Sequence, residues 1–165
     1  MLQKQEIDQI DKGWAKIMII WIALLSSLGI YLVVCTVIEN QIPVSMEGAP
    51  LERFKYILFG ISALTLVGAY FFRKLLLKNI SRPAAEGVGM AGLHPAVSKY
   101  LTSIVIIMAL SESVGIYGVV LFLISKDAVS FYQLMSLSAI AMVIFCPKKA
   151  ELIGVAEKMK SAGSE

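Results

Sequence analysis

The sequence predicts an all-α integral membrane protein with four transmembrane helices and with both termini in the cytoplasm. Composition is the first reason, because 58% of the 165 residues are hydrophobic. The mean hydropathy of +0.77 also exceeds that of ordinary soluble domains. The second reason is that apolar residues stand in long blocks, which suit bilayer-spanning helices of about 20 residues. The third is the placement of lysine and arginine between these blocks.

Four apolar blocks reach or approach the length of a membrane span. They cover residues 17–38, 54–72, 101–124 and 130–146. The fourth is the shortest, and Pro147 is expected to end it because proline disrupts a helix. The expected segments are a charged amphipathic N-terminal segment (1–16), a first two-helix unit (17–72), a basic connection (73–100), a second two-helix unit (101–146) and a C-terminal helix (147–165).

Basic residues predict the orientation of the spans. Most lysines and arginines lie before the first span, between the second and third spans, and in the C-terminal tail. Positively charged connections stay in the cytoplasm, so both termini and the middle connection are expected there. We expect a multi-pass protein of the cell's inner (plasma) membrane.

The two charged termini carry apolar residues at helical spacing. The recurring residues are Leu2, Ile7, Ile10, Trp14 and Ile17 near the start and Leu152, Val155 and Met159 near the end. Each stripe has a charged face opposite it, which is typical of a helix in the headgroup layer or against another protein chain.

Other classes of function find no support in the sequence. It has no nucleotide-binding loop after a strand, no catalytic triad and no cluster of metal-ligand residues. We expect no catalysis by the chain alone, no cofactor and no bound metal. The membrane topology already explains the basic residues, so nucleic-acid binding is not expected.

An internal repeat relates the first and third spans. Residues 23–34 (ALLSSLGIYLVV) align without a gap with residues 109–120 (ALSESVGIYGVV), and eight positions are identical. Residues 56–67 of the second span align in the same way with residues 132–143 of the fourth. We infer a tandem duplication of a two-helix unit, with both copies in the same orientation. Ser26 of the first copy aligns with Glu112 of the second.

Glu112 is the acidic residue inside these apolar blocks. It lies halfway between Tyr100 and Ile124, where a carboxylate costs roughly 3 kcal/mol or more. Loss of water favours the neutral acid there. Hydroxyl groups at comparable depth are predicted to form a thin polar layer around it, contributed by Ser26, Ser27, Ser62, Thr65, Ser136 and Ser138. A carboxyl group at this depth is expected by default to be functional. Some such groups, however, only form hydrogen bonds between helices and fix their packing.

The third span resembles a known family at this point. Residues 109–124 (ALSESVGIYGVVLFLI) are similar to the carboxylate helix of the c-type proteolipids, which form the rotor ring of rotary ATPases. Glu112, Ser113, Tyr117 and Gly118 match that family's mid-membrane carboxylate, the small residue after it and the Tyr-Gly pair further on. The preceding connection, KNISRPAAEG, resembles the family's polar loop, with Arg82 and Pro83 in the matching places.

The resemblance implies a proton-translocating subunit in which Glu112 is reversibly protonated. Ser113 and Tyr117 would share its site, with Ser62 and Thr65 of the second span nearby. Arg82 and Pro83 would lie in a loop that docks a partner. The chain would work in the lipid bilayer as a homo-oligomer or with other membrane subunits. Protons are expected rather than sodium, because the second span lacks the mid-depth Gln or Glu that sodium-binding relatives use.

Two departures from the family support an alternative. The family's partner helix carries a run of glycines, whereas the second span here has only Gly60 and Gly68. The matching hairpin is also the central one, with a further span on each side. The alternative is a non-transporting membrane scaffold or assembly partner, derived from such a proteolipid and binding another chain through its terminal helices.

Overall fold

The computed structural model describes residues 4–39, 48–79 and 95–162, without the side chains of residues 4–6, 77–79 and 162. Across these ranges the chain is helical and contains no strand. The helices are α1 (Lys4–Ile38), α2 (Ala49–Asn79), α3 (Pro95–Ser125), α4 (Ala128–Ile144) and α5 (Lys149–Ala162). The prediction of an all-α fold is therefore confirmed.

Three helices are long and apolar enough to cross a membrane on their own, namely Ile7–Ile38, Ala49–Leu76 and Pro95–Ser125. The fourth predicted span is α4, whose 17 residues rise about 25 Å. Together α4 and α5 pass the same test as one broken span with a bend of 49° between them. The described part of the chain thus has the three or four apolar helices of a multi-pass membrane protein.

Large apolar side chains cover the outer surfaces of these helices. On α2, Tyr56 is 75% exposed and Leu64 is 73% exposed, and α1 and α4 have similar faces that include Ile19 and Ile144. Exposure of this extent would be costly in water but matches a helix surrounded by lipid chains. The exposed apolar surface therefore agrees with the membrane protein that the hydrophobic composition predicted.

The helices extend further than the predicted segments. The connection predicted as residues 73–100 is shorter, because α2 continues to Asn79 and α3 begins at Pro95. Residues 73–79 (RKLLLKN) hold strong helix formers and no glycine or proline, and cationic residues are favourable near a helix C-terminus. The N-terminal segment is continuous with the first span in α1. Within the described residues, the C-terminal helix covers Lys149–Ala162, after Pro147.

The helices divide into two compact units. The first, here called the terminal unit, comprises Met1–Ile22, Tyr70–Ile107 and Cys146–Glu165. Ile10 and Ile17 of α1 are buried in it, as are Leu152 and Val155 of α5. These four residues of the apolar stripes that predicted interfacial helices are thus covered within the chain, whereas Ile7 of the N-terminal stripe is 47% exposed.

Polar contacts fix α5 in the terminal unit. Arg73 Nη2 donates to both carboxylate oxygens of Glu151 at 3.0 Å. The Tyr100 hydroxyl donates to Glu151 at 3.1 Å and accepts from the backbone N–H of Lys148 at 3.0 Å. Lys149 forms an ion pair with Asp11 of α1 at 2.8 Å. The start of α5 is therefore bonded to α1, α2 and α3.

The second unit, here called the central unit, comprises Ala23–Ala69 and Met108–Phe145. Its core contains the buried side chains of Leu58, Val114, Leu121 and Leu134. α3 and α4 approach closely at Gly118, where a β-carbon would lie 3.1 Å from Leu134 Cβ and 3.3 Å from the Phe131 carbonyl oxygen. Glycine is the residue that permits this distance between two helices.

The connection between α3 and α4 is two residues long. Lys126 adopts a left-handed conformation (φ 55°), and its N–H donates to the Phe122 carbonyl, which ends α3. Asp127 is the N-cap of α4 and accepts hydrogen bonds from the N–H and the hydroxyl of Ser130 at 3.2 and 2.8 Å. Lys55 of α2 forms an ion pair with Asp127 at 2.6 Å.

Candidate functional site

Glu112 lies in the middle part of α3, in the central unit. It precedes the last residue of α3, Ser125, by 13 residues, or about 20 Å of helix. Its side chain is half-buried. This position lies well inside a helix that is long and apolar enough to cross a membrane. The depth of the carboxylate in a bilayer stays a prediction.

Two hydroxyl groups from α1 contact the Glu112 carboxylate. Ser27 Oγ lies 2.5 Å from Glu112 Oε1, and the Tyr31 hydroxyl donates to the same oxygen at 3.0 Å. Ser27 and Tyr31 are four residues apart, so they project from the same face of α1 one turn apart. A carboxylate away from water needs hydrogen-bond donors of this kind. All three residues belong to one chain.

The second carboxylate oxygen is in a different environment. Both hydrogen bonds of the Glu112 side chain end on Oε1. Within the part of the chain that the structure describes, no buried side-chain oxygen or nitrogen lacks a hydrogen-bond partner. It follows that Oε2 is not enclosed by the chain but reaches its surface. The two oxygens of the carboxyl group therefore differ, because Oε1 is hydrogen-bonded to α1 and Oε2 lies at the surface of the chain.

Close packing beside Glu112 brings α1 and α4 against α3. A β-carbon at Gly115 would lie 2.7 Å from Leu28 Cδ2 on α1 and 3.3 Å from Met135 Sδ on α4. The Ser138 hydroxyl of α4 donates to the backbone carbonyl of Ser111 at 2.7 Å, one residue before Glu112. Small residues on α3 therefore let both neighbouring helices approach the turn that carries the carboxylate.

Ser113 and Tyr117, predicted to share the site, make other contacts. The Ser113 hydroxyl donates to the Leu110 carbonyl of its own helix at 2.8 Å. Tyr117 packs against the buried core of the central unit, which includes Leu58 and Leu134. Successive residues of a helix are about 100° apart, so Ser113 and Tyr117 lie about 100° and 140° around α3 from Glu112. This rotation separates both side chains from the carboxylate.

The other predicted site residues lie on α2 or outside the described residues. Ser62 is fully buried, and its hydroxyl donates to the Leu58 carbonyl at 2.7 Å. Thr65 is half-buried one turn further along α2. Arg82 and Pro83, the predicted partner-docking loop, lie outside the described residues. Of the predicted polar layer, Ser27 contacts Glu112, whereas Ser138 bonds to the backbone beside it.

Tyr31 was not predicted as a site residue, although the sequence contained a signal. The internal repeat aligns Ser27 with Ser113 and Tyr31 with Tyr117. The family resemblance assigns a serine and a tyrosine hydroxyl to the site, and both repeats of the sequence contain such a pair. The structure brings Glu112 together with the pair from the first copy.

Within residues 4–39, 48–79 and 95–162 no three His, Cys, Asp or Glu side chains are grouped as metal ligands. The site offers one carboxylate and two hydroxyl groups. These groups can hold a proton in a short hydrogen bond.

The fold and the site together define a class, a multi-pass α-helical membrane protein with a hydroxyl-bonded carboxyl group inside its apolar region. No known family model, curated protein or solved structure matches this chain.

Proposed function

We propose that the chain is a proton-translocating, proteolipid-like membrane subunit in which Glu112 is reversibly protonated. The observation that carries this proposal is the contact of Glu112 Oε1 with the hydroxyls of Ser27 and Tyr31, 2.5 and 3.0 Å away. A proton carrier in lipid must be stable as a neutral acid and as an anion. Hydroxyl groups serve both states, because each has a hydrogen to donate and lone pairs to accept.

The surroundings of Glu112 support this proposal. Residues 17–38 of α1, 56–72 of α2 and 130–144 of α4 carry no Asp, Glu, Lys or Arg, so Glu112 is a lone carboxyl group among these apolar stretches. Ionisable residues at this depth are expensive, and they mark proton and ion pathways. The accessible Oε2 gives a proton a place to enter and leave.

The resemblance of residues 109–124 to the carboxylate helix of rotary-ATPase proteolipids agrees with this role. By that resemblance the chain would act in a homo-oligomer or beside other membrane subunits. We favour protons over sodium because the described contacts give Glu112 two hydroxyl neighbours, whereas a dehydrated sodium ion needs a fuller shell of oxygen ligands.

Carbodiimide labelling of the reconstituted protein tests the proposal. Dicyclohexylcarbodiimide reacts with a protonated carboxyl group in an apolar environment, so we expect one adduct, on Glu112, and a labelling rate that falls as pH rises. We also expect the modified protein to lose proton flux. The Glu112→Gln variant is the control and should remain unlabelled. An unlabelled Glu112, or flux that persists after full labelling, would contradict the proposal.

The same contacts favour one second candidate. A carboxyl group bonded to two hydroxyls of another helix also pins α1 to α3, as a non-transporting scaffold would require. On this hypothesis the exposed charged faces of the terminal helices bind a partner chain, since Ile10, Ile17 and Leu152 of their apolar stripes are buried within the chain. Deleting residues 150–165 would then abolish association with the partner, whereas Glu112→Gln would leave it intact.

A further inference from the structure

The Ser27 hydroxyl has more close neighbours than it has hydrogens. Its oxygen lies 2.5 Å from Glu112 Oε1 and 2.6 Å from the backbone carbonyl oxygen of Leu24. A serine hydroxyl carries one hydrogen, and a carbonyl oxygen carries none. If the Ser27 hydrogen points to Leu24, the short contact with Glu112 requires a hydrogen on Oε1. If it points to Glu112, the carboxyl group can be ionised.

Tyr31 is placed differently. Its hydroxyl makes one contact with the carboxyl group, donating to Oε1 at 3.0 Å. A donated hydrogen bond is stronger to an anion than to a neutral acid. Tyr31, which is also a hydrogen-bond neighbour of Ser27, therefore favours the ionised form of Glu112. Ser27 has a bond in either form, because it contacts both Glu112 and the Leu24 carbonyl.

We infer that Ser27 is a two-way hydrogen-bond partner that serves both protonation states of Glu112, whereas Tyr31 serves the ionised state. In the ionised state, the Ser27 O–H donates to Oε1. When Glu112 takes up a proton on Oε1, that new O–H donates to Ser27 Oγ, and the Ser27 hydrogen turns to the Leu24 carbonyl. Releasing the proton reverses both rotations. The heavy atoms stay in place, and the number of hydrogens balances in each direction.

Other charges near Glu112 do not account for this arrangement. Besides Glu112, the titratable side chains on the helical segments of the central unit are Tyr31 and Cys35 on α1, Glu52, Arg53, Lys55 and Tyr56 on α2, Tyr117 on α3 and Tyr132 on α4. Glu52 and Arg53 are exposed. Tyr56 and Tyr132 are exposed, Tyr117 packs against the core, and Lys55 pairs with Glu52 and Asp127. Among the described residues, Tyr31 is the titratable group that contacts the carboxyl group.

The inference rests on the proposed reversible protonation of Glu112, but its test reads the site rather than transport. The rate of carbodiimide labelling at Glu112 would be measured against pH in reconstituted protein, for the wild type and for Ser27→Ala, Ser27→Thr and Tyr31→Phe. The repeat supplies matched controls on α3, Ser113→Ala and Tyr117→Phe, which remove the same groups from positions that contact other partners.

We expect Tyr31→Phe to move the pH midpoint of labelling upward by about one unit, because the anion loses a donor. Ser27→Ala removes a bond from both states, so its midpoint should move by less than half as much. Ser27→Thr should match the wild type, and the two α3 controls should leave the midpoint unchanged.

Three results would overturn the inference. A midpoint shift for Ser27→Ala as large as that for Tyr31→Phe would make Ser27 a simple donor, with the proton residing on Oε2. No shift in either variant would mean that the α1 hydroxyls do not act on Glu112, and equal shifts in the α3 controls would mean the same. If Glu112→Gln retained full proton flux while Tyr31→Phe and Ser27→Ala behaved as expected, the proposed function would fail and the hydrogen-bonding scheme would stand.

Discussion

Gly13 of α1 faces Val97 of α3 so closely that a β-carbon at position 13 would lie 2.5 Å from Val97 Cγ1 and 3.2 Å from Val97 Cβ. Val97 is fully buried, and its branched side chain has one strongly preferred rotamer in a helix. Neither residue can yield without moving a helix, so this contact fixes the distance between α1 and α3 in the terminal unit.

The Gly13→Ala variant is therefore expected to be less stable than the wild type by about 1–2 kcal/mol, after allowing for alanine's better helix propensity. Thermal unfolding in detergent measures this difference. Gly154→Ala on α5 is the matched control, because nothing lies within 4 Å of a β-carbon at that position. The control should gain about 0.5–1 kcal/mol. Equal gains in both variants would show that α1 and α3 do not meet at Gly13.

Lys126 is expected to be replaceable by glycine with a gain in stability. Its φ of 55° is unfavourable for a residue with a β-carbon, whereas glycine adopts this conformation without a steric penalty. We expect Lys126→Gly to raise the free energy of unfolding by about 0.5–1 kcal/mol. Lys126→Ala removes the charge but keeps the β-carbon, so it should show no such gain. A gain shared by both variants would assign the effect to the lysine charge.

Asp127 is expected to make the stability of the α3–α4 connection depend on pH. Burial alone would raise the pKa of the Asp127 carboxyl, but hydrogen bonds from Lys55 and Ser130 outweigh it and hold the pKa below its ordinary value. A lowered pKa contributes stability that is fully present above the ordinary value of about 3.9 and is lost as pH falls through the lowered value.

The Asp127→Asn variant separates this charge effect from helix capping, since asparagine is also a good N-cap. It should be about 1 kcal/mol less stable than the wild type at pH 7, and the difference should disappear as the pH falls through the lowered pKa of Asp127. Asp8→Asn, at an exposed position of α1, should have no effect. A difference between Asp127→Asn and the wild type that stayed constant with pH would contradict the ion-pair explanation.

Glu151 is expected to hold α5 in the terminal unit. It accepts bonds from Arg73 and Tyr100, and the Arg73 side chain is only 13% exposed. Loss of the carboxylate leaves a largely buried cation without this partner, which costs about 2 kcal/mol or more. We expect Glu151→Gln to accelerate tryptic cleavage after Lys148 and Lys149 roughly tenfold or more. Glu157→Gln, exposed on the same helix, should be cleaved at the wild-type rate.

Much of the helical architecture could be predicted from local sequence. The apolar blocks located α1 to α4, and Pro147 marked the bend before α5. The ends of α2 and α3 were less predictable, because hydropathy marks where a helix meets water and not where it ends. Arg73 and Lys74, for example, lie beyond the end of the apolar block but are still part of α2. The duplication and the cytoplasmic placement of the termini stay predictions.

The site was predictable only in part, for a geometric reason. The cost of a carboxylate in lipid identified Glu112 from its position alone. Its partners depend on which helix faces it, and two copies of the same Ser-x-x-x-Tyr pattern fit the sequence equally well. Leu28 of α1 packs closely against Gly115 of α3. This packing places the first copy of the pattern, on α1, beside the carboxyl group. Contacts of this kind arise from tertiary structure and leave no mark in hydropathy.

Proton flux into sealed vesicles tests the central claim most directly. Purified protein would be reconstituted with a pH-sensitive dye inside, and a potassium diffusion potential would drive proton entry. We expect Glu112→Gln to lower the flux at least tenfold while the protein remains folded, and Ser26→Ala, at the aligned position of the first repeat, to retain wild-type flux. Undiminished proton entry through the Glu112→Gln variant would contradict the account.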